Sequence, residues 1–305
     1  MKFTDNIAAI SHLKTRLFKW KVIAILAIIS CFLLFLQHFL ISSRDIANQG
    51  GDYIANITID DTIFEDQYRS KILKEIEQDD SIKAVIVNVD SPGGGIVGSE
   101  ILFNELRKIA QKKPMVTVMH SMAASGGYMI SLASDYILAY NGTVTGSIGV
   151  ILEVPEVTEL ASKIGVKFNN YKSSHLKGAP SPFEKSDAAV EKVINESIKD
   201  SYEFFVQLVE ARRGQKLKDV SRETIFDGRI FTGRQALAVG LIDAIGGQDE
   251  ALAYLNQAQK ADTNLPVHNI DIIEKETAMW DKFLSALPFL RHLNSSSSVK
   301  GIMAL

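Results

Sequence analysis

The chain has 305 residues, 46% of them hydrophobic, and a formal net charge of only -3. That length suits one large core or two modest ones, and a near-neutral charge with no Lys/Arg stripe sets nucleic-acid binding aside. A single cysteine, Cys31, and six scattered histidines without an HExxH-type spacing exclude a disulfide framework, thiol catalysis and a thiolate metal site in the bulk of the chain.

The run Val22 to Ile41 approaches the roughly 20 apolar residues that a helix needs to cross a bilayer. Lys2, Lys14, Arg16, Lys19 and Lys21 precede it against the single acid Asp5, and Arg44, Asp45 and Asp52 follow it. The positive-inside rule therefore places residues 1–21 in the cytoplasm, 22–41 in the membrane and the rest outside, with 42–52 as a linker. A cleavable signal peptide is the rival. The apolar run is longer than the usual signal core of about 7 to 15 residues, and no small-x-small site follows before Gln49, so an anchor is expected.

From Tyr53 onward, short runs rich in Val, Ile and Tyr alternate with helical periodicity. YIANITI (Tyr53 to Ile59), AVIVNV (Ala84 to Val89), MVTVMH (Met115 to His120) and YILAY (Tyr136 to Tyr140) predict strands. Ser70 to Gln78 and Gly98 to Gln111 carry apolar residues at helical spacing, so a mostly parallel sheet with helices on its faces is expected. Val154 to Gly165 and Ser186 to Arg213 read as further helices, the second with Val190, Ile194, Ile198, Phe205 and Leu208 on one face. Phe168 to Ser186, with two prolines and many small polar residues, reads as loop. Residues 53–260 form the expected catalytic domain. The segment 261–305 has an amphipathic stretch, Glu276 to Leu293, and a serine-rich tail that reads as disordered.

Two glycine-rich turns each follow a predicted strand: Asp90-Ser91-Pro92-Gly93-Gly94-Gly95 and Ala123-Ala124-Ser125-Gly126-Gly127-Tyr128. In a parallel sheet both emerge at the carboxyl edge, where open α/β folds bind ligands. Ser125 at a strand-to-helix junction presents a hydroxyl at a helix start. The missing Cβ atoms of Gly126 and Gly127 are expected to let a substrate backbone approach. Amides of Gly93, Gly94 and Gly126 are candidates for holding an oxyanion. On spacing alone, such turns serve equally as tight turns or phosphate cradles.

These turns, with Thr145 to Ile151 (TGSIGVI) and Asp227 to Gly247 (DGRIFTGRQALAVGLIDAIGG), resemble the short bacterial form of the signal peptide peptidase A family, S49 serine peptidases. The resemblance runs from about Tyr53 to Leu255. It implies an α/β Clp protease/crotonase-like fold of βαβ repeats behind a single N-terminal transmembrane helix. It makes Ser125 the nucleophile and a lysine the general base, in a loop beyond TGSIG. Lys172 and Lys177 are the candidates; aligning KSSHLKGAPSP with the family's lysine segment favours Lys177, although Ser174 and Gly178 depart from that pattern.

A lysine accepts a proton only when neutral, and an ordinary ammonium titrates near 10.4, so such a site has to be dry. Ser147 of TGSIG is the candidate for orienting the amine, because a neutral hydroxyl does so without favouring the charged form. The resemblance further implies that serine and lysine come from different protomers, hence a homo-oligomeric ring, with remnant signal peptides as substrates at the bacterial inner membrane and the catalytic domain on its periplasmic side. No cofactor is expected.

Other readings stand beside this one. An isolated exposed lysine is ordinarily just solvated, and Ser147 can hydrogen-bond its own turn. His120 and His175 are the candidates for a histidine base, His175 without an evident acidic partner in the sequence. A crotonase-like acyl-CoA enzyme and a catalytically silent membrane scaffold are the alternative functions.

Overall fold

A computed structural model describes residues 19–21, 29–30, 51–218, 221–257 and 264–273. The chain divides into Met1–Gly51 and Asp52–Leu305. The expected anchor, 22–41, lies outside the described residues apart from Ile29 and Ser30, as does the amphipathic stretch 276–293. Among the described residues no helix is long and apolar enough to cross a membrane.

The βα alternation of the second unit follows the periodicity of its sequence. Strands β1 (Tyr53–Ile59), β2 (Ile82–Ser91), β3 (Met115–Ala124) and β4 (Tyr136–Ala139) alternate with helices α1 (Gln67–Gln78), α2 (Ile96–Lys112) and α3 (Gly126–Ser131). Asp66 caps α1, its carboxylate accepting from the Tyr68 and Arg69 amides at 2.9 and 3.1 Å. Beyond β4 come β5 (Val144–Gly146), α4 (Thr158–Lys163), α5 (Ala188–Arg213), α6 (Arg222–Ile225), β6 (Ile230–Thr232), α7 (Gly233–Val239), β7 (Ala244–Ile245), α8 (Gln248–Gln257) and β8 (Val267–Ile270).

The described strands form one eight-stranded sheet, ordered β6-β5-β3-β2-β1-β8, with β4 on β3 and β7 on β4. Every pairing is parallel except β5 with β6. Strand β3 forks the sheet, since Val116–Met119 pair with β4 and Met122–Ala124 pair with β5.

The alternation of side chains along each strand divides the core in two. Ala55, Ile57 and Ile59 with Val85, Val87 and Val89 point into the larger core, beneath α1, α2 and α3. Ile54, Ala84, Ile86, Val116 and Val118 point into the smaller one, closed by Ala251 and Leu255 of α8. Of the face expected on α5, Val190 and Phe205 are buried while Ile194 and Ile198 are only half-buried, and the other buried positions cluster at the end of the helix, at Val206, Val209 and Arg213. Residues 151–187 contain only the short α4 as regular structure, in place of the longer helix expected over 154–165, and Ala161 is their one buried residue.

An ion pair closes the far end of α5. Asp243 accepts from Arg213 Nη1 at 2.9 Å, Lys216 Nζ at 2.7 Å and the Ile137 amide at 2.9 Å. Burial opposes ionisation of this carboxyl, yet the bonds from Lys216 and Arg213 outweigh it and hold Asp243 below its ordinary range.

Candidate active site

Strand β2 delivers the first glycine turn, and the side chain of its last residue braces it. The Ser91 hydroxyl donates to Asp61 O at 2.7 Å and accepts from the Gly93 amide at 3.2 Å. Gly93 turns with φ 102°, and its carbonyl accepts from Ile63 N at 2.9 Å, while Gly95 N donates back to Ile63 O at 3.0 Å. The loop between β1 and α1 thus clamps the turn. A Cβ on Gly94 would sit 2.0 Å from Ile63 O.

Strand β3 delivers the second turn. Ser125 follows its last residue with φ 53° and ψ -119°, a region that side-chain-bearing residues rarely occupy, and α3 begins at the next residue. Its amide donates to Gly146 O and its carbonyl accepts from Met129 N, both at 2.9 Å. A serine forced into such a turn projects its hydroxyl from the tip, as a strand-to-helix nucleophile does. Ser125 is only half-buried, though Ala124 and Gly126 on either side are buried.

The glycines play a different part from the one expected. A Cβ on Gly126 would meet Ser99 Oγ at 2.2 Å, one on Gly127 would meet Ser91 O at 2.7 Å, and one on Gly93 would meet Gly126 N at 2.7 Å. Their bare faces lie against protein, so their absent side chains let the two turns interlock rather than open a path for substrate. The site of that missing Gly126 Cβ is also 3.2 Å from Gly94 N, so the Gly94 nitrogen lies close to Gly126. The Gly93 amide is already engaged by Ser91, whereas those of Gly94 and Gly126 donate to no group among the described residues.

Ser147 stands beside Ser125 through strand register. Ala124 pairs with Gly146 across β3 and β5, and each serine is the residue immediately after. Neighbouring strands lie about 4.8 Å apart, so the two serines leave the sheet side by side. Ser147 also has a positive φ of 50°, held by its amide's bond to Arg229 O at 2.8 Å. That carbonyl belongs to the DGR segment, whose Gly228 takes φ 85°.

The candidate bases lie in the exposed segment after α4. Lys172 is paired with Glu184, whose carboxyl is held below its ordinary range chiefly by that bond and by one from Asn170. An ammonium committed to a carboxylate is a poor proton acceptor. Lys177 is exposed and pairs with no carboxylate among the described residues; its amide donates to Ser174 O at 3.1 Å. Among the described residues no hydrogen bond joins Ser125, Ser147 and Lys177 side chains to one another.

His175, which lacked an acidic partner in the sequence, has one in space: its Nε2 lies 2.7 Å from Asp187 Oδ2. The backbone of Val190 first, then the His175 bond, hold the Asp187 carboxyl below its ordinary range. Asp187 also caps α5, so the pair ties the lysine loop to that helix. His120 Nε2 lies 3.0 Å from Asn88 Oδ1 and lines a cavity with Asn56, Asn88 and Asn269. The helix that Ser125 opens instead sends Tyr128, Met129 and Ile130 into the larger core.

The sequence that folds into these two turns has matches among known proteins. The profile of peptidase family S49 matches residues 107–262, which include Ser125, Ser147 and Lys177. A protein of Methanocaldococcus jannaschii described as a protease is 30% identical over 249 residues, 77% of this chain and 78% of that one. This chain belongs to peptidase family S49. A signal peptide peptidase SppA of Enterococcus faecium is 40% identical over 189 residues, 62% of this chain and 54% of that one. Protease 4 of Haemophilus influenzae is 35% identical over 224 residues, 72% of this chain and 33% of that one, so the chain spans about a third of that relative. As an S49 member the protein is a serine peptidase.

Proposed function

We propose that this S49 peptidase is a membrane-anchored endopeptidase with a Ser125/Lys177 dyad. The observation that carries the reading is the backbone of Ser125, held at φ 53° beside the uncommitted amides of Gly94 and Gly126. Ser125 Oγ attacks the peptide carbonyl while the neutral Lys177 amine takes its proton. The oxyanion settles between the Gly94 and Gly126 amides. As the tetrahedral intermediate collapses, Lys177 returns the proton to the leaving amine, and water, deprotonated by the same amine, releases the acyl group from Ser125. Ser147 orients the lysine from the neighbouring strand.

Lys177 is exposed in the single chain, and a neutral lysine needs a dry setting. Its segment also carries large exposed apolar side chains: Ile151 is 80% exposed, Leu160 61%, Ile164 69% and Tyr171 96%. Apolar surface on that scale calls for a cover. A neighbouring copy supplies it and dries the lysine at once, so the active form is a homo-oligomeric ring of the Clp protease/crotonase-like type. The apolar run 22–41 anchors the chain in the bacterial inner membrane, with residues 1–21 in the cytoplasm and the catalytic domain outside it. That placement suits substrates left in the bilayer, and the name of the Enterococcus faecium relative points to signal peptides.

The test compares full-length wild type with Ser125→Ala, Lys177→Ala and Lys172→Ala for peptide cleavage and for labelling by a serine-directed fluorophosphonate. Cleavage is expected to vanish in the first two, falling by about 10³-fold or more, and to stay within a few-fold in Lys172→Ala. Activity surviving in Lys177→Ala but lost in Lys172→Ala reassigns the base, and activity surviving in Ser125→Ala removes the mechanism.

A further inference from the structure

Beneath the nucleophile turn lies a hydroxyl that the proposed chemistry does not use. Ser99, in the first turns of α2, is 1% exposed, and its Oγ has no hydrogen-bond partner among the described residues. A serine in that position ordinarily donates to the carbonyl four residues back, as Ser131 Oγ does to Gly127 O at 2.7 Å. The other buried serines are also paired: Ser91 with Asp61 O at 2.7 Å, and Ser134 with Thr117 Oγ1 at 2.6 Å. Leaving a buried hydroxyl unpaired costs stability, so an orphan at this place needs a reason.

Its position supplies one. The point a Gly126 Cβ would occupy is 2.2 Å from Ser99 Oγ and 3.2 Å from Gly94 N, so the hydroxyl adjoins both peptide units that supply the oxyanion amides. We propose that Ser99 is a positioning residue of the oxyanion hole. Its hydroxyl is uncommitted in the resting enzyme and turns its hydrogen toward the negative charge that forms between Gly94 and Gly126. A dipole freed from other partners in a dry site responds to that charge more strongly than one in water. Its contact with the Gly126 backbone keeps the two amides converged. The inference rests on Ser125 as nucleophile and on those two amides.

Ser99→Ala keeps the space and removes the dipole. In the full-length protein it is expected to lower kcat about tenfold with KM within twofold, and to slow fluorophosphonate labelling of Ser125 by the same factor. The melting temperature stays the same or rises, because a buried unpaired group has gone. Ser99→Cys, with a weak donor of similar size, falls between the two. Unchanged kcat and labelling in Ser99→Ala overturn the proposal, and so does a fall of activity in step with melting temperature, which marks a packing role. If wild type itself is not labelled, the nucleophile reading fails and this inference fails with it; a labelled wild type matched by an equally reactive Ser99→Ala sinks this inference alone.

Discussion

Replacing Gly94 by alanine puts a methyl carbon 2.0 Å from the carbonyl oxygen of Ile63, a backbone atom that no rotamer change can move away. Contacts of that kind below 3.0 Å are essentially never seen, so turn and loop must part by roughly 1 Å. They are also tied to each other, because Ile63 N donates to Gly93 O and Gly95 N to Ile63 O. Either both bonds break or the whole first turn shifts. A displacement near 1 Å at a reacting centre costs about 10²-fold in rate, and losing one oxyanion donor costs about 10² to 10³-fold. We therefore expect kcat/KM of Gly94→Ala to fall at least about 100-fold, with a stability loss of about 1–3 kcal/mol from overpacking. Hydrolysis of a quenched fluorescent peptide by the detergent-solubilised protein reads the first, and denaturant unfolding the second. Activity within threefold of wild type would refute the claim that Ile63 sets the position of the Gly94 amide.

Ser125→Gly abolishes cleavage yet gains about 1 kcal/mol of stability, because glycine occupies φ 53° without the side-chain penalty; an unfolding midpoint below wild type would show that the turn is unstrained. Asp243→Asn leaves the buried Arg213 without its counter-charge and is expected to lose about 3–5 kcal/mol at neutral pH. The folded Asp243 carboxyl lies below the unfolded value of about 3.9, so its contribution is complete above that pH and fades as pH falls toward the folded value. The gap in melting temperature between wild type and variant should hold from about pH 5 to 8 and narrow below about pH 4; a gap that persists undiminished near pH 3 contradicts this.

Much of the domain was legible along the chain. YIANITI reads as a strand and forms β1 with the same bounds, and the helical spacing of 98–111 falls within α2. Both signals are local: period-2 and period-3.6 patterns and the residues that start or end them report on a few turns of backbone. The serine in its glycine turn was legible for the same reason, since a strand run meeting a helical run at Ser125 is a neighbour-to-neighbour fact. Short strands β5, β6 and β7 carried no such pattern, and their existence depends on partners brought from far along the sequence. Asp187 as partner of His175 was likewise invisible, because the loop between them has no period to read.

By itself the sequence determined that the chain alternates strands and helices, that a domain without cysteine offers only oxygen and nitrogen side chains for chemistry, and where a serine-bearing glycine turn would stand. Only the tertiary structure decided what Ser125 has around it. The parallel register of β3 with β5 sets Ser147 beside it, close contact of the second turn with the first turn and with Ser99 of α2 explains Gly93, Gly126 and Gly127, and among the described residues the Gly94 amide donates to no group. The pairing of Lys172 with Glu184 was likewise not legible along the chain. Local patterns follow from each residue's own torsional and hydrophobic preferences, whereas a catalytic constellation depends on which distant backbones come within van der Waals reach. The strand-to-helix turn at Ser125 is therefore readable from the chain, while the groups that surround it are set by packing.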